Sequence, residues 1–217
     1  MALKRRGPEP GPEAIEVPDD RRWNHNGHYH RVILAAIPEG AGTALDVGCG
    51  EGVVTRALRA RVPSVTGLDV DEPSLVLARR QGPPDVRYVL GDLLTHSFED
   101  ETFDVVACVT ALHHLDFAAG LRRMAELTAP GGVLAAIGVA RRRWPHDLPW
   151  DLAGAVATRV LRRKHGEWHT PAPKVWPPPL TFAEHRRTAR EVLPGSEFRR
   201  HVLWRWSLVW HRPRAQR

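Results

Sequence analysis

Leu45-Asp46-Val47-Gly48-Cys49-Gly50-Glu51-Gly52 is the stretch from which the rest of the chain can be read. The apolar run 43–47 enters a loop with glycine at every second position, and residues 53–60 follow with Val54, Ala57 and Leu58 on one helical face. Strand, glycine turn and helix therefore succeed one another. Glycines at 48, 50 and 52 permit positive φ angles and a close approach of the backbone, and N–H groups beside a helix N-terminus favour a carboxylate or phosphate. A dinucleotide site asks for G-x-G-x-x-G. Here residue 53 is Val53 and the spacing is G-x-G-x-G, which fits that pattern poorly. Asp46 ends a buried strand, where a carboxylate needs an ammonium group or the loop's own N–H groups as partners.

Working outward, residues 65–70 read as a second strand carrying Asp69, 19 residues beyond Gly50. A carboxylate at the C-terminal end of the strand beside a glycine loop can accept hydrogen bonds from both hydroxyls of a ribose. A helix over 73–80 follows, with Asp71 and Ser74 as alternative caps to Asp69. Residues 86–90 are a third strand leading to Gly91-Asp92-Leu93, and 103–109 a fourth, continuously apolar strand after the acidic turn Glu99-Asp100-Glu101. The fourth runs into Thr110-Ala111-Leu112-His113-His114-Leu115. An amphipathic helix over 121–127 stops at Ala129-Pro130-Gly131-Gly132, a sharp connection to a fifth strand over 133–138.

These motifs, in this order through about Gly138, resemble the class I S-adenosylmethionine-dependent methyltransferases over roughly two thirds of the chain. The resemblance implies an α/β fold, a doubly wound Rossmann-like sheet of seven strands, mostly parallel with one antiparallel strand in a C-terminal hairpin. It implies S-adenosyl-L-methionine as cofactor, with contacts from Asp46, Gly48, Cys49, Gly50, Asp69, Val70, Gly91, Asp92, Leu93 and Thr110. Asp92 would accept from the exocyclic amine of adenine. The segment after Thr110 would open the substrate face. Neither an Asn-Pro-Pro-Tyr-like sequence nor a Pro-Cys nucleophile stands there, so the two common nucleobase chemistries of the family lack their motifs.

At 217 residues the chain suits one α/β domain. No run of 18 apolar residues and no apolar stretch after Lys4-Arg5-Arg6 suggests a membrane span or a signal peptide, so no membrane partner and a cytoplasmic location are expected. Cys49 and Cys108 are the only cysteines, which argues for buried thiols rather than a disulfide framework or a cysteine-rich metal site. Charge is uneven: from Arg141 onward there are 17 Lys+Arg against 6 Asp+Glu, whereas residues 1–140 hold 14 against 19. Such asymmetry can mark binding to nucleic acid or to an anionic substrate.

Residues 1–20, rich in Pro and Gly, read as a flexible lead, and 21–217 as the methyltransferase-like domain. Within it, 21–40 forms an N-terminal cap around Trp23-Asn24-His25-Asn26-Gly27-His28-Tyr29-His30, and 141–180 an insertion near the substrate site. The cluster either caps the cofactor pocket, as N-terminal segments of the resembled family do, or is a surface helix cap with Trp23 in the core. In the first case Tyr29 packs over the cofactor or bonds its carboxylate. Spacings of three and two residues do not bring His25, His28 and His30 to one helix face, so no metal is assigned. The insertion contains a helix over 148–161 and an aromatic, Pro-rich loop over 165–179 with Trp168, His169 and Trp176. Thr181 and Glu184 form a capping box for a helix to Leu193, and 198–211 read as two strands with apolar alternation from Val202 to Trp210.

Methyl transfer from a sulfonium is an in-line displacement that asks the protein to align two partners and remove a proton where the acceptor carries one. His113, His114, His28 and His30 are the candidate bases, with His113 or His30 preferred for their place in the chain. The expected activity is methylation of an oxygen or nitrogen of a small-molecule acceptor. A nucleic-acid methyltransferase and a cofactor-binding regulator without catalysis are the alternatives, and the oligomeric state is not indicated.

Overall fold

The structure, a computed structural model, describes residues 19, 23–99, 101–167 and 177–214. Helix α1 (His30–Ala36) precedes β1 (Thr43–Val47), α2 (Val53–Arg59), β2 (Ser64–Asp69), α3 (Glu72–Gln81) and β3 (Arg87–Leu90). Then come β4 (Phe103–Val109), α4 (Phe117–Leu127), β5 (Thr128–Val139), α5 (Leu148–His165), α6 (Phe182–Val192), β6 (Glu197–His201) and β7 (Arg205–His211). The strands make one seven-stranded sheet in the order β3-β2-β1-β4-β5-β7-β6. All neighbours from β3 to β5 pair in parallel, and β7 runs antiparallel to both β5 and β6. This is the doubly wound, Rossmann-like arrangement expected from the sequence.

The continuous apolar runs of β4 and β5 are explained by burial on both faces. Val106, Cys108, Leu134 and Ala136 face one core with α4 and α6, while Val105, Ala107, Val133, Ala135 and Ile137 face the other with α1 and α2. From β1 the chain winds outward to β2 and β3, then returns to β4 on the other side. That reversal opens a crevice at the C-terminal ends of β1 and β4, where open α/β sheets hold their ligands.

Four local readings differ from the sequence expectation. Helix α4 starts at Phe117, capped by Asp116, whose carboxylate accepts from the Ala119 N–H at 2.7 Å. Gly120 interrupts the apolar pattern there because a Cβ would stand 2.9 Å from Leu112 Cδ2. Pro130-Gly131-Gly132 lies inside β5, at a register shift against Phe103 and Val105, and a Cβ on Gly132 would meet the Asp104 carbonyl at 2.7 Å. The glycines thus permit close strand pairing instead of making the helix-to-strand turn. Helix α5 runs to His165, four residues beyond expectation. Leu203 and Trp204 adopt left-handed φ of 64° and 56° and turn the hairpin, so Val202 and Trp204 leave the strand alternation.

Trp206 and Leu208 are core, with the Trp206 indole N–H donating to the Val139 carbonyl at 3.0 Å. The Thr181–Glu184 capping box forms at the start of α6. Trp168, His169 and Trp176 of the aromatic loop, and nearly all of the N-terminal lead, lie outside the described residues. Among the described residues no helix is long and apolar enough to cross a membrane.

Candidate active site

A cavity of about 250 Å³ occupies the crevice. Of the residues that the sequence singles out for the cofactor, Gly48, Gly50, Asp69, Val70, Gly91, Asp92, Leu93 and Thr110 line it, and so does His114. They arrive on four separate strand ends. A Cβ on Gly48 (φ 68°) would stand 2.2 Å from the Ala111 Cβ, so glycine is what lets the loops after β1 and β4 close against each other.

The glycine loop does not offer its N–H groups as the sequence suggests. The Gly48 and Cys49 amides both donate to the Leu68 carbonyl, at 2.8 and 3.1 Å, and Gly52 donates to the Cys49 carbonyl. The Gly50 amide donates to Asp69 Oδ2 at 2.7 Å, while Asp69 Oδ1 accepts from the Asp71 N–H at 2.9 Å. The loop is thereby tied to β2, and Asp69 is fixed in place with lone pairs to spare on both oxygens. Asp71, not Asp69, caps α3 through the Ser74 N–H and hydroxyl.

Asp46 and Cys49 lie behind this wall. The Asp46 carboxylate is fully buried and accepts from the Thr55 hydroxyl of α2 at 2.6 Å. Burial pushes its pKa up to about 7, a rise that the Thr55 bond opposes and nearby Asp69 reinforces. The partner is therefore a hydroxyl from the next helix rather than an ammonium group or the loop amides. The Cys49 side chain turns away from the cavity toward Gly67 of β2, where its Sγ would sit 2.9 Å from a Cβ, and burial raises its pKa. Only its backbone belongs to the loop.

At the end of β4, Thr110 takes a left-handed φ of 52° and its N–H donates to the Ile137 carbonyl at 2.7 Å. Its hydroxyl accepts from Asn26 Nδ2 at 3.0 Å. Asn26 Oδ1 in turn accepts from Nε and Nη2 of Arg205, at 2.8 and 2.7 Å. Arg205 begins β7 and also donates to the Leu203 carbonyl; no carboxylate among the described residues pairs with it. Burial lowers its pKa to about 10. Sequence reasoning missed both Asn26 and Arg205, since neither carries a motif and they are joined only in the fold.

His113 and His114 form a single 3-10 turn with Leu112, their rings 4.2 Å apart. His114 faces the cavity, and burial lowers its pKa while Asp69 opposes the change. His113 is not on the cavity wall. Its Nδ1 is buried without a hydrogen-bond partner among the described residues, and burial, followed by His114, Arg205 and His185, lowers its pKa to about 4. Both imidazoles are neutral at pH 7.

Among the described residues, the segment expected to cap the pocket reaches the cavity wall only through Asn26. Its aromatic side chains pack instead against the hairpin turn and α5. The Tyr29 hydroxyl donates to the Val202 carbonyl at 2.5 Å and its ring stacks on His201, so it does not cover the cavity. His28 packs edge-on against Tyr29 and Trp23, and His30 opens α1, with burial lowering its pKa to about 4. Neither lines the cavity, because the 3-10 turn Gly27–Tyr29 directs this segment toward β6 and β7. His25 bonds to Thr158 of α5 at 3.1 Å.

A family model for the methyltransferase domain matches residues 45–136, the span from the first glycine motif to β5. Methyltransferases of Mycobacterium tuberculosis and Mycobacterium bovis, both uncharacterized, are 37% identical over 196 residues, which is 89% of this chain and 99% of theirs. A demethylmenaquinone methyltransferase of Roseiflexus is 31% identical over 184 residues, covering 78% of this chain and 74% of that protein. Among solved structures, the N-methyltransferase NodS of Bradyrhizobium japonicum superposes with a TM-score of 0.58 at 16% identity, over 87% of this chain and 97% of that one.

Proposed function

The chain belongs to the class I S-adenosylmethionine-dependent methyltransferases, and from that premise we propose that it methylates an oxygen or nitrogen of a small organic acceptor. The cofactor suits the cavity. Leu68, Val70 and Leu93 supply apolar walls for a flat base, and Asp69 keeps lone pairs free for a vicinal diol. Three carboxylates on its lining, Asp69, Asp71 and Asp92, give the cavity a negative character that favours a cationic ligand. When bound, S-adenosylmethionine supplies a methyl group made electrophilic by its sulfonium centre.

The protein's own part is alignment and proton removal. Thr110 is locked by Asn26 and the Ile137 carbonyl, which fixes the wall where the acceptor would lie. His114 is the candidate base, since a neutral imidazole on the cavity wall can take a proton from an acceptor hydroxyl or amine. His113, with a pKa near 4, is a weak base and is better suited to holding its neighbour's position. Arg205, which does not line the cavity, acts through Asn26 to hold Thr110 in place.

The observation that carries the reading is His114, a neutral base on the wall of the cofactor cavity. It is supported by a relative named as a demethylmenaquinone methyltransferase and by one named as a ubiquinone biosynthesis O-methyltransferase. The test is methyl transfer from labelled S-adenosylmethionine to a panel of hydroxylated quinones, phenols and amines, with oligoribonucleotides alongside. Turnover of a small acceptor is expected, and His114→Ala should lower kcat by about 10²–10⁴-fold with cofactor affinity retained. Turnover of the oligonucleotides alone would overturn the reading.

A further inference from the structure

Helix α5 has two faces, and only one has a partner among the described residues. On the inner face Gly154 and Thr158 are buried, and Ala157 and Leu161 join the core. A Cβ on Gly154 would stand 3.0 Å from the Trp204 ring, and Trp204 Nε1 donates to Asp151 at 2.8 Å. The outer face carries Leu148, Leu152, Val156 and Val160, four residues apart along one stripe. Leu152, Val156 and Val160 are 61%, 65% and 59% exposed, and Trp144, just before the helix, is 76% exposed. A soluble helix turns its polar face outward; this one exposes a row of branched aliphatics.

The charges beside that row have one sign. Arg159 and Arg163 lie on the same face, with Lys164 at its edge and Arg143 near Trp144, and all four are exposed. No carboxylate among the described residues pairs with Arg159, Arg163 or Lys164, whereas Arg143 interacts with Asp147. The neighbouring acids are taken: Asp151 by Arg142, Asp147 by Arg200, and Glu167 by Arg162. Apolar side chains interleaved with free cations are the composition of a helix that lies in the plane of an anionic lipid surface, its aliphatics at the acyl boundary and its arginines among the headgroups. A nucleic-acid surface would use the cations but has no need of Leu152, Val156 and Val160. A second copy of this chain would bring the same cations together.

We infer that α5, with Trp144, is a peripheral docking surface for membranes rich in anionic phospholipid. This differs from the sequence expectation of no membrane partner; the helix rests on the bilayer and does not span it. The inference holds whatever the methyl acceptor is, and its failure would leave methyl transfer untouched.

The experiment is flotation of the full chain with vesicles of phosphatidylcholine alone and with about one third phosphatidylglycerol, at low and high salt. Binding to the anionic vesicles, weakened by salt, is expected. Each cation near an anionic leaflet contributes about fivefold, so Arg159→Gln/Arg163→Gln should lose about 25-fold. Val156→Glu/Val160→Glu should lose at least tenfold while its melting temperature and S-adenosylhomocysteine affinity match the wild type, since both side chains point outward. The inference is overturned if the wild type ignores anionic vesicles or if the glutamate variant binds them unchanged. It is equally overturned if that variant instead dissolves a homodimer seen by light scattering, or if a short RNA binds this helix and vesicles do not.

Discussion

Replacing Asp46 by Asn should change how stability depends on pH, and by an amount the structure sets. The carboxyl has a pKa of about 7 in the fold against 3.8 when exposed, chiefly because burial penalises its charged form. The folded state therefore binds the proton more tightly than the unfolded one. Stability from this group is fully present below pH 4 and is lost as pH rises through 7. At about 1.4 kcal/mol per tenfold change in proton affinity, the loss approaches 4 kcal/mol by pH 8. An asparagine amide keeps an acceptor for the Thr55 hydroxyl and has no proton to lose. The neutral histidines act in the opposite direction: His25, His30, His113 and His185, each lowered to about 4 by burial, cost stability as pH falls below 6.5. They are common to both proteins and cancel in the difference. Urea unfolding of wild type and Asp46→Asn at intervals from pH 4 to 8 should give a difference that grows steadily in favour of the variant. A difference independent of pH would refute the buried, proton-binding carboxyl.

Three further substitutions probe separate parts of the argument. Asp69→Ala should weaken S-adenosylhomocysteine binding by about 1–3 kcal/mol in calorimetry, because it removes the acceptor offered to the ribose and releases the Gly50 amide. Gly138→Ala would set a Cβ 2.0 Å from Trp206 Cζ2, and overpacking there should cost about 1–3 kcal/mol or more of unfolding free energy. Asn26→Ala strands the Arg205 guanidinium and the Thr110 hydroxyl together, and should cost about 1.5–3 kcal/mol by denaturation, the range for hydrogen bonds to charged groups.

The parallel half of the fold was legible because its signals are local. Glycines 48, 50 and 52 mark the turn after β1, and β4 reads as a strand because both of its faces are buried. The cofactor wall was legible for the same reason: Gly48, Asp69 and Asp92 each stand at or just after the end of a readable strand. What the sequence could not convey was direction. The family resemblance places Cys49 and Tyr29 at the site, but whether a side chain faces the cavity depends on packing: Cys49 turns to Gly67, and Tyr29 to Val202. The Asn26–Arg205 pair left no trace because polar contacts between distant segments have no periodicity. The exposed stripe on α5 was equally hidden, since apolar spacing at three and four residues reads as a buried face and gives no sign of which side meets the core.

The bond between Asn26 and Arg205 joins positions 179 residues apart. A chain made from its N-terminus holds Asn26 ready long before its partner exists. Until β7 is synthesised, Thr110 lacks the fully braced amide behind it, and β5 stands as the open edge of an incomplete sheet. The wall of the site is thus completed only once β7 is made, closed by contacts of high sequence separation that form slowly. Protein cut short before Arg205 would keep its glycine loop and the acids of the cavity, yet would present β5 as an unpaired strand where β7 otherwise covers it.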